Sequence, residues 1–153
     1  MSTTPDPAVQ RADRPSDGVL FVCVKNGGKS QMAAGLMRRE LEAAGAPSSV
    51  SVASAGTAPG AAVNALSAAV LQDLGVDITG ETPTLLTEDM MRRAGHVVVL
   101  GAEAQVPQPD GVLVERWETD EPSLRGIEGR ERMELVRDDI RRRVQELVGR
   151  LTA

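Results

Sequence analysis

The sequence predicts an α/β protein built on a small doubly wound sheet of four parallel strands, with helices on both faces. Three observations carry this. Short apolar runs rich in β-branched residues, "GVLFVCV" (18–24) and "HVVVL" (96–100), have the unbroken hydrophobicity of strands buried on both sides. Segments with helical apolar spacing separate the strands. Glycine closes these helical segments, at Gly45, Gly75 and Gly95. Parallel strands joined in this way require right-handed crossovers.

Taken in order, residues 1–17 are polar, proline-bearing and charged. They read as a flexible tail without the apolar core of a secretion signal, and 18–153 as one domain. The first strand spans 18–24 and the loop "KNGGKS" (25–30) follows it. In "QMAAGLMRRELEAAG" (31–45), Met32, Leu36, Met37 and Leu41 fall on one helical face. "VSVAS" (50–54) is the second strand and "AAVNALSAAVLQDLG" (61–75) the second helix. "TEDMMRRAG" (87–95) is a short helix, with Thr87 as N-cap and Glu88 and Asp89 suited to the positive end of its dipole. "HVVVL" is the third strand and "GVLVER" (111–116) the fourth. A loop from Trp117 to about Glu128 leads into a long amphipathic helix over 131–151. Doubly wound folds bind ligands beyond the carboxyl ends of their strands, which is where "KNGGKS" lies.

Composition narrows the function. Phe21 and Trp117 are the only aromatic residues, so no platform exists for stacking bases. The formal charge of -5 also disfavours a phosphate-backbone partner, so no nucleic acid is expected. No apolar run approaches the ~18 residues of a membrane span. Cys23 is the sole cysteine, which excludes an internal disulfide and suits the reducing cytoplasm. His96 has no second histidine with which to hold zinc and reads as structural. Met90 and Met91 read as core or helix surface, Trp117 as packing, and Arg141-Arg142-Arg143 as a solvated helix face.

The sharpest signal is "CVKNGGKS" (23–30), which holds both lysines of the chain beside fifteen arginines elsewhere. Its Gly28-Lys29-Ser30 ending suits a nucleotide P-loop, but that motif needs a glycine where Cys23 stands. As a thiol site the stretch is coherent. Asn26, Gly27 and Gly28 tolerate the backbone angles that let several N–H groups converge. The following helix aims its positive end at the same place. Lys29 adds a charge and Ser30 a hydroxyl donor. All of these favour a thiolate at Cys23 and a bound tetrahedral oxyanion at Val24 through Ser30. The bland alternative is that Cys23 is a small core hydrophobe. A cation at Lys29 opposes the helix dipole unless an anion is bound.

The loop resembles that of the low-molecular-weight protein tyrosine phosphatase superfamily, C-x-x-N-x-x-R-S, and "SQMA" (30–33) resembles its arsenate reductase branch. "ASAGTAPG" (53–60) is similar to the family's S-A-G-T segment, and "RWETDEPS" (116–123) to its late W…D-P segment. The resemblance implies a flavodoxin-type strand order, with Cys23 as nucleophile and Lys29 and Ser30 assisting it. The family's acid precedes a proline. Here Glu121 precedes Pro122 with Asp120 one residue earlier; both are candidates, Asp120 preferred. Thr57 and Asn64 would border the site.

Lysine at position 29, where the family has arginine, trades a planar fork for a point charge. This weakens a phosphomonoesterase reading, which stays as the alternative beside a non-catalytic oxyanion-binding protein. Reducing arsenate takes two electrons, and a single-cysteine chain must obtain its second thiol from outside. The resemblance therefore implies the mycothiol-dependent branch, the arsenate–mycothiol transferases. Arsenate would be the substrate, mycothiol the co-substrate thiol with no bound cofactor, and mycoredoxin the partner that finishes the reduction. Whether Cys23 bonds arsenic or only stages the thiol's attack is left open by the sequence. An exposed helix face could support a homodimer.

Overall fold

A computed structural model describes residues 18–45 and 50–152; the tail expected over 1–17 lies outside them. The elements run β1 (Gly18–Cys23), α1 (Lys29–Ala43), β2 (Ser51–Gly56), α2 (Ala65–Gln72), α3 (Glu88–Ala94), β3 (His96–Leu100), β4 (Leu113–Trp117) and α4 (Gly129–Thr152). A short 3-10 turn, Pro122–Arg125, interrupts the last loop. All strand pairs are parallel and the order is β2-β1-β3-β4, the doubly wound arrangement expected.

Strand periodicity divides the core. Val19 and Phe21 face the larger cluster, under α1, α2 and α4, with Val98, Leu100 and Trp117. Leu20 and Val22 face the smaller one with Val97, Val99 and Met91 of α3. Helices thus cover both faces, three on one side and one on the other. By the same alternation Cys23 shares the α1 side with Phe21, at the carboxyl end of a central strand.

Element ends follow local chemistry. Thr87 caps α3 by accepting from the Met90 amide at 3.1 Å, and Gly95 closes it at φ 77°. The second helix begins at Ala65 rather than Ala61, because Asn64 caps it and accepts from the Ser67 amide at 2.9 Å. The fourth strand starts at Leu113, since Gly111 turns with φ 79° and the Val112 amide bonds back to the Pro109 carbonyl. His96 is buried, with Nε2 2.6 Å from Glu115 Oε2. Burial raises the Glu115 pKa, but hydrogen bonds from Trp117 and His96 outweigh it and the net shift is downward. Trp117 packs its ring 5.8 Å from Phe21. Both residues are therefore structural, as the sequence implied. Among the described residues no helix is long and apolar enough to cross a membrane.

Candidate active site

The loop after β1 is shaped by where its carbonyls go. Those of Cys23, Val24, Lys25 and Gly27 accept from the amides of Thr57, Ala58, Gly60 and Asn64, at 3.1, 2.8, 2.9 and 2.6 Å. In a trans peptide the carbonyl and the next residue's N–H point in opposite directions. With the carbonyls turned toward residues 57–64, the amides of Val24, Lys25, Asn26 and Gly28 turn toward the bowl. Thr57 and Asn64 therefore border the loop as expected, but through their backbone.

Asn26 holds the bend. It is fully buried and adopts φ 53°, a left-handed conformation unusual for a side-chain-bearing residue. Its side chain fixes it there: Nδ2 donates to Ser30 Oγ at 2.7 Å, and Oδ1 accepts from the Thr84 amide at 2.9 Å. Gln31 Nε2 reaches the Asn26 carbonyl at 3.2 Å. The left-handed residue reorients its own amide toward the sulfur, which accepts from it at 3.3 Å.

Cys23 Sγ also lies 2.9 Å from Ser30 Oγ. Because that hydroxyl already accepts from Asn26, its proton is free to be donated to sulfur. Two donors on one sulfur, in a bowl of amides, are an arrangement for negative charge there. The first helix adds to it. Its N-cap, Gly28, offers no side-chain cap, and no acidic residue occupies the first turn. The orphan amides of α1 and its positive pole are left facing the bowl.

Gly56 makes the strapping possible. A Cβ there would lie 2.6 Å from the Val24 carbonyl oxygen and 2.9 Å from Asn26 Cβ. We expect Gly56→Ala to displace the loop and lower stability by about 1–3 kcal/mol. Urea unfolding should show a lower midpoint.

The two acid candidates separate. Glu121 Oε1 accepts from Lys29 Nζ at 2.5 Å. Glu121 also lines a cavity of about 240 Å3 with Cys23, Val24, Lys29, Gly101 and Arg132. Asp120 instead takes a paired grip from Arg125, at 2.8 and 3.1 Å. That hydrogen bonding, reinforced by the guanidinium charge, holds its carboxyl below the usual carboxylate range. Asp120, preferred on sequence, is thus engaged away from Lys29, whereas Glu121 stands beside it. Gly101, at φ 88°, leaves room here: a Cβ on it would sit 3.5 Å from Lys29 Nζ.

The acid-bearing loop is clamped from α4. Buried Asp139 accepts from the Asp120 amide at 2.9 Å and pairs with Arg142 and Arg143. Arg143 also donates to the Glu118 carbonyl at 2.9 Å. The arginine run is a solvated face at Arg141 and Arg142, as the sequence implied, but Arg142 also pairs with Asp139 and Arg143 is half-buried against it. Sequence reading also passed over Arg132, which lines both the Cys23 cavity and a neighbouring one of about 420 Å3. A signal existed, since a cation in the first turn of a helix opposes the dipole.

Residues 18–153 match the family model described as low molecular weight phosphotyrosine protein phosphatase. Over 127 residues the chain is 31% identical to a Halobacterium salinarum protein named "Putative arsenate reductase", covering 83% of this chain and 87% of that one. It is 30% identical over 134 residues to an arsenate reductase of Bacillus subtilis, covering 84% of this chain and 92% of that one. Among solved structures, the thioredoxin-dependent arsenate reductase Cg_ArsC1' of Corynebacterium glutamicum superposes with a TM-score of 0.72 at 31% identity. That match covers 95% of this chain and 66% of the other.

Proposed function

This chain belongs to the low molecular weight phosphotyrosine protein phosphatase family, in its arsenate reductase branch, and from that premise we propose that it reduces arsenate with a thiol supplied by another molecule, mycothiol. The observation that carries the reading is the bowl itself, a cysteine sulfur with two donors at the centre of inward-turned amides.

In this mechanism arsenate lies on the amides of Val24 through Lys29, with Lys29 neutralising charge. The Cys23 thiolate attacks arsenic and an As–O bond breaks. Glu121, released as Lys29 turns to the anion, relays a proton from dihydrogen arsenate to the departing hydroxide, which leaves as water. Mycothiol then displaces Cys23 from arsenic. A mycoredoxin thiol attacks the mycothiol sulfur of that adduct. The S–As electron pair passes to arsenic, releasing As(III), and the two sulfurs are left joined as a disulfide.

The Corynebacterium structure is of a thioredoxin-dependent protein. For this chain an external thiol is favoured by its single cysteine, since no second sulfur within it can close a disulfide for thioredoxin to open. The test is arsenite production from arsenate with mycothiol plus mycoredoxin, against thioredoxin plus its reductase. Turnover is expected only with the first pair. Turnover with thioredoxin alone would overturn the reading.

A phosphatase reading is favoured by the family match, and Lys29 argues against it. An ammonium contacts a phosphate ester as a point charge, without the two parallel bonds of a guanidinium. Lys29→Arg is expected to raise hydrolysis of an aryl phosphate about tenfold or more while slowing arsenate turnover. Initial rates on both substrates check this.

A further inference from the structure

Arg132 is the charged side chain whose placement the fold does not explain. Its Nε is buried and has no hydrogen-bond partner. Among the described residues, none of its guanidinium nitrogens makes a hydrogen bond or an ion pair. The other arginines of α4 are either paired or, like Arg141, exposed. Arg130 pairs with Asp73 and Glu134, Arg137 with Asp73 and Asp138, and Arg142 and Arg143 with Asp139. A buried donor left unmatched is unfavourable, and so is a cation in a helix's first turn. A bound anion removes both penalties at once.

The position fits an anion at the bowl. Arg132 lines the cavity that holds Cys23 and Lys29, approaching from α4 rather than from the loop. Two acids share that cavity. Glu121 is held by Lys29, and Glu103 is exposed and not within ion-pair distance of Arg132. The neighbouring cavity, which Arg132 also walls, has Lys25 and Lys29 in its lining and no carboxylate. In a chain of net charge -5, that is a local concentration of positive charge.

We propose that Arg132 is a second oxyanion-binding residue, gripping the outward oxygens of the tetrahedral substrate while the loop amides and Lys29 hold the rest. The inference rests on the oxyanion reading of the bowl. It gives the site a planar guanidinium fork from a helix more than 100 residues downstream of Lys29.

The experiment is calorimetric titration of the full chain with arsenate, and separately with inorganic phosphate, for wild type, Arg132→Gln, Arg132→Ala and Arg132→Lys. Circular dichroism melts without ligand verify that each variant is folded. Arsenate affinity is expected to fall about 10- to 100-fold in Arg132→Ala and Arg132→Gln, with partial recovery in Arg132→Lys. The KM for arsenate should rise in parallel with a smaller change in kcat. Affinity within twofold of wild type in a folded Ala or Gln variant would overturn the proposal. A wild-type protein that binds neither anion would instead remove the oxyanion reading on which it stands.

Discussion

Cys23→Ser is expected to abolish arsenite production, by a factor of roughly 10^3 or more, because an alcohol cannot form or break the S–As bond on which the proposed mechanism depends. The protein should still fold. Serine is close in size to cysteine, and its hydroxyl can bond to Ser30 and the Asn26 amide as the sulfur does at 2.9 and 3.3 Å. The bowl's amides are untouched, so arsenate should still raise the melting temperature. Steady-state arsenite assays paired with thermal melts therefore separate chemistry from binding. Turnover in Cys23→Ser near that of wild type would make the thiol a bystander.

Glu121→Gln should split binding from chemistry in the opposite sense. In the free protein Lys29 Nζ is held by Glu121 at 2.5 Å, so an incoming anion competes with a carboxylate for the same ammonium. Removing that negative charge should tighten arsenate binding. It also removes the proposed proton relay, and loss of a general acid costs about 10^2- to 10^4-fold in kcat. The expected signature is a lower dissociation constant beside a much lower kcat. Asp120→Asn is the control. Arg125 grips both Asp120 oxygens and holds its carboxyl below its ordinary pKa, which disfavours its taking up a proton to relay. It gains a proton only as the pH falls through that depressed value, below the range where arsenate is assayed. Its kcat should stay within a few-fold of wild type. A slow Asp120→Asn with a normal Glu121→Gln would reverse the assignment.

What the sequence disclosed was local. Cys23, Asn26, the glycines and Ser30 lie within eight residues, so strand end, loop and helix start can be read from one stretch. The two central strands, β1 and β3, were legible because burial on both faces leaves an unbroken apolar run, whereas the edge strands β2 and β4 are partly exposed. The start of the second helix was not. Ala61 and Ala62 suit a helix, but Gly60 and Asn64 are drawn along the loop by bonds to Lys25 and Gly27 that no local pattern announces. The sequence could not separate the two acid candidates for a related reason. Asp120 and Glu121 are adjacent, and only Arg125 and Lys29, from different parts of the fold, tell them apart. The helix-start position of Arg132 was a weak signal, shared by Arg130, and its missing partners show only in the fold.

The four carbonyls tied to residues 57–64 have one more consequence. The chain is already frozen into shape before any substrate arrives, so the disorder surrendered in forming the bowl is surrendered once, at folding, and not again with each molecule of arsenate. Capture then resembles setting an ion into a mould, with the Lys29–Glu121 contact on its rim.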